Sequence, residues 1–211
     1  MDRRLFLGSV GTTLIGSFAG GCRSHQVGEV LTADKKDAVG NTAAGGETYK
    51  PLIDEALGKL LARQCVVQQV GTVVPGPKRI CFVGLENKSS EELGDFKEQI
   101  IEIIDTKINT SGTFEPISKR FVEAGLAEGR IRPDQLFVPA NLQRFLAVMG
   151  GQGQSFEYLL FAKLTSGTTQ STRETQKEYL LTLDLVNIQS GKSDKESASL
   201  RKGYHKSHGL R

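Results

Sequence analysis

The spacing of apolar residues predicts alternating helices and strands from about residue 48 onward. Segment 48–64 places apolar residues three and four positions apart, which predicts an amphipathic helix. Within 78–87 the apolar run from Ile80 to Leu85 has no polar alternation, which indicates a central strand buried on both faces. Segment 89–109 repeats the helical stripe, and its early Ser and carboxylate residues, Glu91 among them, are typical of a helix N-terminus.

The second half of the chain predicts short helices followed by long strands. Pro116 cannot donate to a strand ladder, so 114–118 is predicted to be a short edge strand. The predicted helices are 119–129, 132–137 and 140–151, and the predicted strands are 155–168, 172–189 and 196–204. Such strands form a β-meander, and we expect the helices to cover one face of it. The predicted fold class is α/β of the α+β kind, with a mixed central β-sheet flanked by helices.

The first residues resemble an export signal. Arg3 and Arg4 precede an uncharged, mildly apolar run that ends near Gly21 and is shorter than the roughly 20 apolar residues of a membrane-spanning helix. Together with Phe6 and Leu7, the arginine pair resembles a twin-arginine signal. The general secretory route remains an alternative.

Cys22 follows this signal directly. The sequence Ala19-Gly20-Gly21-Cys22 resembles a bacterial lipobox, in which cleavage after Gly21 leaves Cys22 as a first residue carrying diacylglycerol and an N-acyl chain such as palmitate. A signal cleaved nearby, leaving a free thiol, is the alternative. Arg23 follows where Asp favours inner-membrane retention, so an outer-membrane lipoprotein facing the periplasm is expected, with inner-membrane retention left open.

Composition divides the chain into four parts. Residues 1–21 are the predicted signal peptide, and 22–47, poor in apolar residues, are predicted to be a lipid-anchored flexible tether. Residues 48–204 are long enough for one globular domain with its own core. Residues 205–211 are predicted to be a disordered tail.

Charge and motifs exclude several function classes. A net charge of +3, from 27 basic and 24 acidic residues, does not indicate nucleic-acid binding. Segment 71–78 lacks the Gly-Lys-Ser/Thr of a phosphate-binding loop, and the chain's 3 histidines form no metal-ligand pattern. We therefore expect no enzyme activity, small-molecule substrate, metal or cofactor, apart from the covalent lipid on Cys22.

Cys65 and Cys81 are the remaining cysteines. Their spacing matches no common zinc or redox motif. In an oxidising compartment they are a possible disulfide, and two free thiols are the equal alternative.

Several segments in this order resemble the LpoB family of penicillin-binding protein activators. The resemblance covers about 160 residues, from near Thr48 to near Lys202. Its most specific segments are Asn87-Lys88-Ser89-Ser90, Tyr158-Leu159-Leu160, Leu183-Asp184-Leu185-Val186 and Ser190-Gly191.

The resemblance implies a fold like the N-terminal domain of TolB and a regulatory role. It implies a lipoprotein that is attached to the membrane by its lipid anchor and binds a class A bifunctional penicillin-binding protein, raising its peptidoglycan synthesis. The alternative is a structural or assembly lipoprotein of the envelope, CsgG-like or TolB-like, that oligomerises through its sheet edges.

Overall fold

The computed structural model of the chain describes residues 44–70, 78–170 and 174–205. Its elements are α1 Gly46–Val70, β1 Lys78–Lys88, α2 Phe96–Ser111, β2 Phe114–Pro116, α3 Lys119–Gly129, a 3-10 helix Pro133–Phe137, α4 Pro139–Gly151, β3 Tyr158–Gln170, β4 Glu174–Asn187 and β5 Ser193–His205. No helix in these ranges combines the length and the apolar character needed to cross a membrane.

The strands form one mixed sheet in the order β2-β1-β3-β4-β5. β2 and β3 run parallel to β1, whereas β3, β4 and β5 form an antiparallel meander. A bulge interrupts the pairing of β1 with β3 between Phe82 and Leu85, where Gly84 has a φ of 117°. Such a φ strains any residue with a Cβ, which explains the glycine in an otherwise apolar strand. The predicted mixed sheet ending in a β-meander is confirmed.

The larger core lies between the sheet and helices α1 and α2. Helix α1 buries the apolar stripe that its sequence predicts, and α2 buries Ile100, Ile104 and Ile108. Alternate residues of β3 and β4 point toward these helices and pack against their apolar stripes. The members of this core with an exposure of 1% or less include Ile53, Ala56, Leu57, Leu60, Ile80, Leu160, Leu164, Tyr179, Leu183 and Leu185.

A second core lies on the opposite face, which corrects the expectation of helices on one face alone. Cys81 and Val83 of β1 and Leu159 of β3 point away from α1 and α2 and pack against α3 and α4. Phe145 and Met149 of α4 have no exposed surface in this layer. Because β1 and β3 are apolar on both sides, a single helical layer could not have buried them. The central strand predicted to be buried on both faces is confirmed.

Helix α2 begins later than its sequence predicts. Ser89, Glu91 and Glu92 were expected in its first turn, yet the helix starts at Phe96. Gly94 has a φ of 48°, and this left-handed residue ends the preceding loop before a right-handed helix can start. At its other end, Gly112 closes the helix in the left-handed conformation, with a φ of 65°. Segment 133–137, predicted as part of a helix, is 3-10.

Candidate functional site

One edge of β1 has no strand partner along most of its length within the part of the chain that the structure describes. Its pairing with β2 covers only Lys78 to Ile80. The Ile117 amide then donates to the Ile80 carbonyl at 2.9 Å, after which the chain turns into α3 at Ser118. Beyond this point no strand among the described residues pairs with that side of β1. Backbone groups along such an edge are available to another chain.

A cavity of about 770 Å³ follows this open edge, and we call it the β1 groove. Its lining includes every residue from Phe82 to Asn87. Neighbouring side chains of a strand point to opposite faces, so a cavity that meets six consecutive residues reaches the strand's edge. The same cavity extends over the sheet face on the side of α3, where residues of β3, β4 and β5 line it: Phe161, Lys163, Thr182, Asp184 and Lys195. Helix α2 forms one wall, and α3 with the 3-10 helix forms the other.

Apolar side chains form part of the lining of the β1 groove. Phe137 of the 3-10 helix is 59% exposed, and its ring stacks on that of Phe161 with 4.3 Å between centroids. An exposed aromatic ring beside a cavity is a feature of binding surfaces in proteins. The other apolar lining residues from the two walls and the adjoining segment are Ile101, Ile117, Val122, Leu126 and Pro133.

The charged lining of the β1 groove is predominantly acidic. It comprises the carboxylates Glu86, Glu98, Glu102, Asp105, Glu123, Asp134 and Asp184 and the ammonium groups Lys97, Lys119, Lys163 and Lys195. Lys195 forms an ion pair with Asp184, with 3.0 Å between Nζ and Oδ2. Glu86 likewise pairs with Lys88, and Asp134 pairs with Arg132. The charge that favours a basic ligand over an acidic one therefore comes from the carboxylates of the α2 wall.

Lys119 links the two walls of the groove by ion pairs. Its ammonium group pairs with Glu98 of α2 and lies 3.9 Å from the Glu123 carboxylate of α3. The hydrogen bond from Lys119 holds the pKa of Glu98 below its usual range, and the same bond raises the pKa of Lys119. Both groups are therefore charged at neutral pH.

Glu102 and Asp105 have no such partner. Neither makes an ion pair with any described residue. Burial and the neighbouring Glu102 charge raise the pKa of Asp105 above its ordinary value. The α2 wall thus carries two neighbouring carboxylates without an ion-pair partner among the described residues, and the charge of Lys119 counteracts only part of the rise in the pKa of Asp105.

A second polar cluster surrounds Glu91, just after the carboxyl end of β1. Its carboxylate accepts hydrogen bonds from the Ala44 amide at 2.7 Å, from the Tyr179 hydroxyl at 2.6 Å and from Lys177. Burial alone would raise the pKa of Glu91, but these hydrogen bonds outweigh it and lower the pKa. The cluster joins the start of α1 to β4. Glu91 therefore has a structural role in place of the helix-terminal role that its sequence predicts.

Asparagine-based turns explain two of the segments that carry the family resemblance. Asn87 Oδ1 accepts from the Ser89 amide at 2.9 Å and from its hydroxyl at 2.7 Å, which closes the turn after β1. Ser90 bonds to Ser166 of β3 through its amide, at 2.9 Å. Asn187 Oδ1 likewise accepts from the Ser190 amide at 2.9 Å in the β4–β5 hairpin. These residues shape turns by bonding to backbone amides.

Cys65 and Cys81 are both free thiols in the structure. Cys65 lies on α1, 3.1 Å from the Thr113 hydroxyl. Cys81 is fully buried on the sheet face opposite α1, so the sheet separates the two thiols. Burial raises the pKa of the Cys81 thiol far above its ordinary value, and the group is neutral. Of the two alternatives the structure has the unbridged one.

The residues expected to direct export and lipidation lie outside the described ranges. These are Arg3, Arg4, Phe6, Leu7, Gly21 and Cys22. Their roles remain predictions. Within the described ranges no three His, Cys, Asp or Glu side chains form a group that could hold a metal ion.

A family model provides the decisive comparison. The model of the peptidoglycan-synthase activator LpoB matches residues 49–193. The chain belongs to the LpoB family. Members of this family are regulatory activators rather than enzymes, and the family assignment implies an envelope lipoprotein with a role in peptidoglycan synthesis. A search of curated proteins finds no significant match.

Similar solved structures share little sequence with this LpoB-family chain. The LpoB C-terminal domain from Salmonella enterica is 14% identical, with a TM-score of 0.45, over 69% of this chain and 97% of that one. Lipoprotein GNA1162 from Neisseria meningitidis is 18% identical, with a TM-score of 0.45, over 63% of this chain and 88% of that one.

Proposed function

We propose that this protein binds and stimulates a bifunctional penicillin-binding peptidoglycan synthase from a lipid anchor in the outer membrane. The observation that carries the proposal is the match of residues 49–193 to the family of peptidoglycan-synthase activators. The β1 groove supports it, because an activator without catalytic chemistry needs a surface that holds its partner. The predicted lipid on Cys22 and the predicted tether complete the arrangement. The last residues of the predicted tether 22–47 belong to the folded domain, because Ala44 is buried in the larger core and α1 begins at Gly46.

Binding energy alone can account for the activation. A tethered domain meets a partner within its reach at an effective concentration of roughly mM, so a modest affinity is sufficient. The domain raises activity if it binds the active conformation of the synthase more tightly than the inactive one. A difference of about 1–3 kcal/mol changes the equilibrium constant between the inactive and active conformations by roughly 5–150-fold.

The proposal is tested by timing glycan polymerisation from lipid-linked precursor. Full-length protein in detergent is titrated into each bifunctional synthase of the same organism, with heat-unfolded protein as the control. We expect a saturable rise in the initial rate for at least one synthase. Unchanged rates together with no measurable binding to any of them would refute the proposal.

The lipid anchor is tested separately with Cys22→Ser. The wild-type protein is expected in the outer-membrane fraction after a high-salt wash, because acyl chains contribute about 0.8 kcal/mol per buried methylene. The variant is expected in the soluble fraction. A Cys22→Ser protein that stays in the washed membrane would contradict lipidation at this residue.

The second candidate is an envelope assembly component, and the position of β5 favours it. This strand of 13 residues forms an end of the sheet, where an additional strand from another copy could pair. Against this, β5 carries the charged residues Asp194, Lys195, Glu196, Arg201 and Lys202, which are typical of edges protected from pairing. Light scattering distinguishes the candidates: a monomer supports the activator, and a stable ring or filament supports assembly.

A further inference from the structure

We propose that the β1 groove binds an extended segment of a partner protein, which adds to the open edge of β1 as a new strand and carries Lys or Arg beside an apolar side chain. This occupant is inferred from the groove itself. Identifying the partner as the synthase rests on the proposed function.

The backbone of β1 supplies the first argument. The edge from Phe82 to Lys88 continues the line that β2 follows for only 3 residues, so one strand position beside β1 lacks an occupant among the described residues. At about 3.3 Å per residue this edge is about 20 Å long. Main-chain hydrogen bonds to such an edge give affinity without requiring a particular sequence.

The two walls supply the second argument, because they lie on opposite faces of the sheet. Helix α2 packs on one face, and α3 with the 3-10 helix packs on the other. Alternate side chains of an added strand would therefore point toward Ile101 on one wall and toward Val122 and Phe137 on the other. The exposed Phe137 ring offers an apolar or aromatic residue of the segment a direct contact.

The charges lining the groove indicate that the bound segment is basic. Glu102 and Asp105 stand on the α2 wall without an ion-pair partner among the described residues, and Glu123 stands on the other wall. A Lys or Arg of the bound segment would neutralise the α2 pair, whereas a Glu or Asp would add to its repulsion. The groove is therefore expected to bind basic segments more tightly than acidic ones.

The first experiment measures peptide binding to the wild-type full-length protein in a nonionic detergent. The probe is a fluorescein-labelled peptide of about ten residues that alternates valine and lysine around one phenylalanine. One control replaces every lysine with glutamate, and the other methylates two adjacent central backbone nitrogens. We expect each control to bind at least about tenfold more weakly in fluorescence anisotropy.

The second experiment localises the binding on the protein. The double variant Glu102→Lys/Asp105→Lys is expected to bind the lysine peptide at least about tenfold more weakly. The control is Glu115→Lys on β2, which makes the same acid-to-lysine change at one exposed position outside the groove and so carries half the charge change of the double variant. Hydrogen exchange on the wild type should show amides between Phe82 and Lys88 becoming protected when the peptide binds.

Three results would overturn the inference. They are equal affinity for the lysine and glutamate peptides, unweakened binding of the N-methylated peptide, and no new protection along β1. The peptide measurements use no synthase. Peptide binding without stimulation of any synthase would therefore support this inference and refute the proposed function. Stimulation of a synthase without peptide binding would support the proposed function and refute this inference.

Discussion

Glu91 offers the sharpest test of how the domain is held together. Replacing it with Gln keeps the shape of the side chain but removes the charge that accepts from Lys177, Tyr179 and the Ala44 amide. A glutamine oxygen can face Lys177 and Tyr179, but its amide group then faces the Ala44 amide, donor against donor. Hydrogen bonds to charged groups are worth about 1.5–3 kcal/mol each, and only part of this interaction survives in the variant.

We expect Glu91→Gln to lower the free energy of unfolding by about 2 kcal/mol at neutral pH. For a domain of this size that corresponds to a fall in melting temperature of roughly 4–8 °C. The matched control is Glu92→Gln, an exposed neighbour with the same chemical change. The control should stay within about 0.5 kcal/mol of wild type.

The pH dependence gives this prediction a second readout. The pKa of Glu91 is lower in the folded protein, so its contribution is present above the pKa of the unfolded chain and is lost as pH falls through the folded value. The stability gap between wild type and Glu91→Gln should therefore narrow in acid. Urea unfolding at about pH 7 and about pH 3 measures this gap. Equal stability of Glu91→Gln and Glu92→Gln at neutral pH would refute the reasoning. A stability gap between wild type and Glu91→Gln that stays unchanged in acid would also refute it.

Four further outcomes are expected. Burial raises the pKa of Asp105, so its ionisation destabilises the fold as pH rises. In urea titrations the stability of Asp105→Asn relative to wild type should therefore increase with pH. A stability difference that does not change with pH would contradict this prediction. Phe145→Ala should lower the free energy of unfolding by about 3–5 kcal/mol in the same assay, since the ring is fully buried in the second core, and a decrease below about 1 kcal/mol would contradict that burial. Gly84→Val should lower the free energy of unfolding by about 1–3 kcal/mol because the φ of 117° strains a β-branched residue, and thermal melts equal to wild type would exclude that strain. Cys81 should react with a thiol reagent only on unfolding, whereas partly exposed Cys65 reacts first, and mass spectrometry showing early labelling of Cys81 would contradict its burial.

Local periodicity explains what the sequence could predict. The apolar stripe of α1 and the uninterrupted apolar run of β1 are set by residues within one element, and both elements formed as expected. The late start of α2 was missed because Gly94 adopts a left-handed φ in a segment whose composition looks helical. Glycine permits a left-handed conformation without requiring it, so the sequence alone does not determine where α2 begins.

The β1 groove and the Glu91 cluster depend on contacts between distant residues. The hydrogen bond from Tyr179 to Glu91 joins residues 88 positions apart, and no local pattern predicts it. One signal for the groove was available: the strand predicted at 114–118 is about half as long as the strand predicted at 78–87 and is too short to cover it. Comparing the lengths of neighbouring strands would have predicted an open edge, although not the acidic walls beside it.

The central claim is tested most directly by the initial rate of glycan polymerisation by a bifunctional synthase of the same organism, measured against the concentration of this protein. We expect wild type and Glu115→Lys to raise the rate to the same plateau and Glu102→Lys/Asp105→Lys to require at least about tenfold more protein for the same effect. A rate that wild-type protein does not change in any synthase would contradict the account.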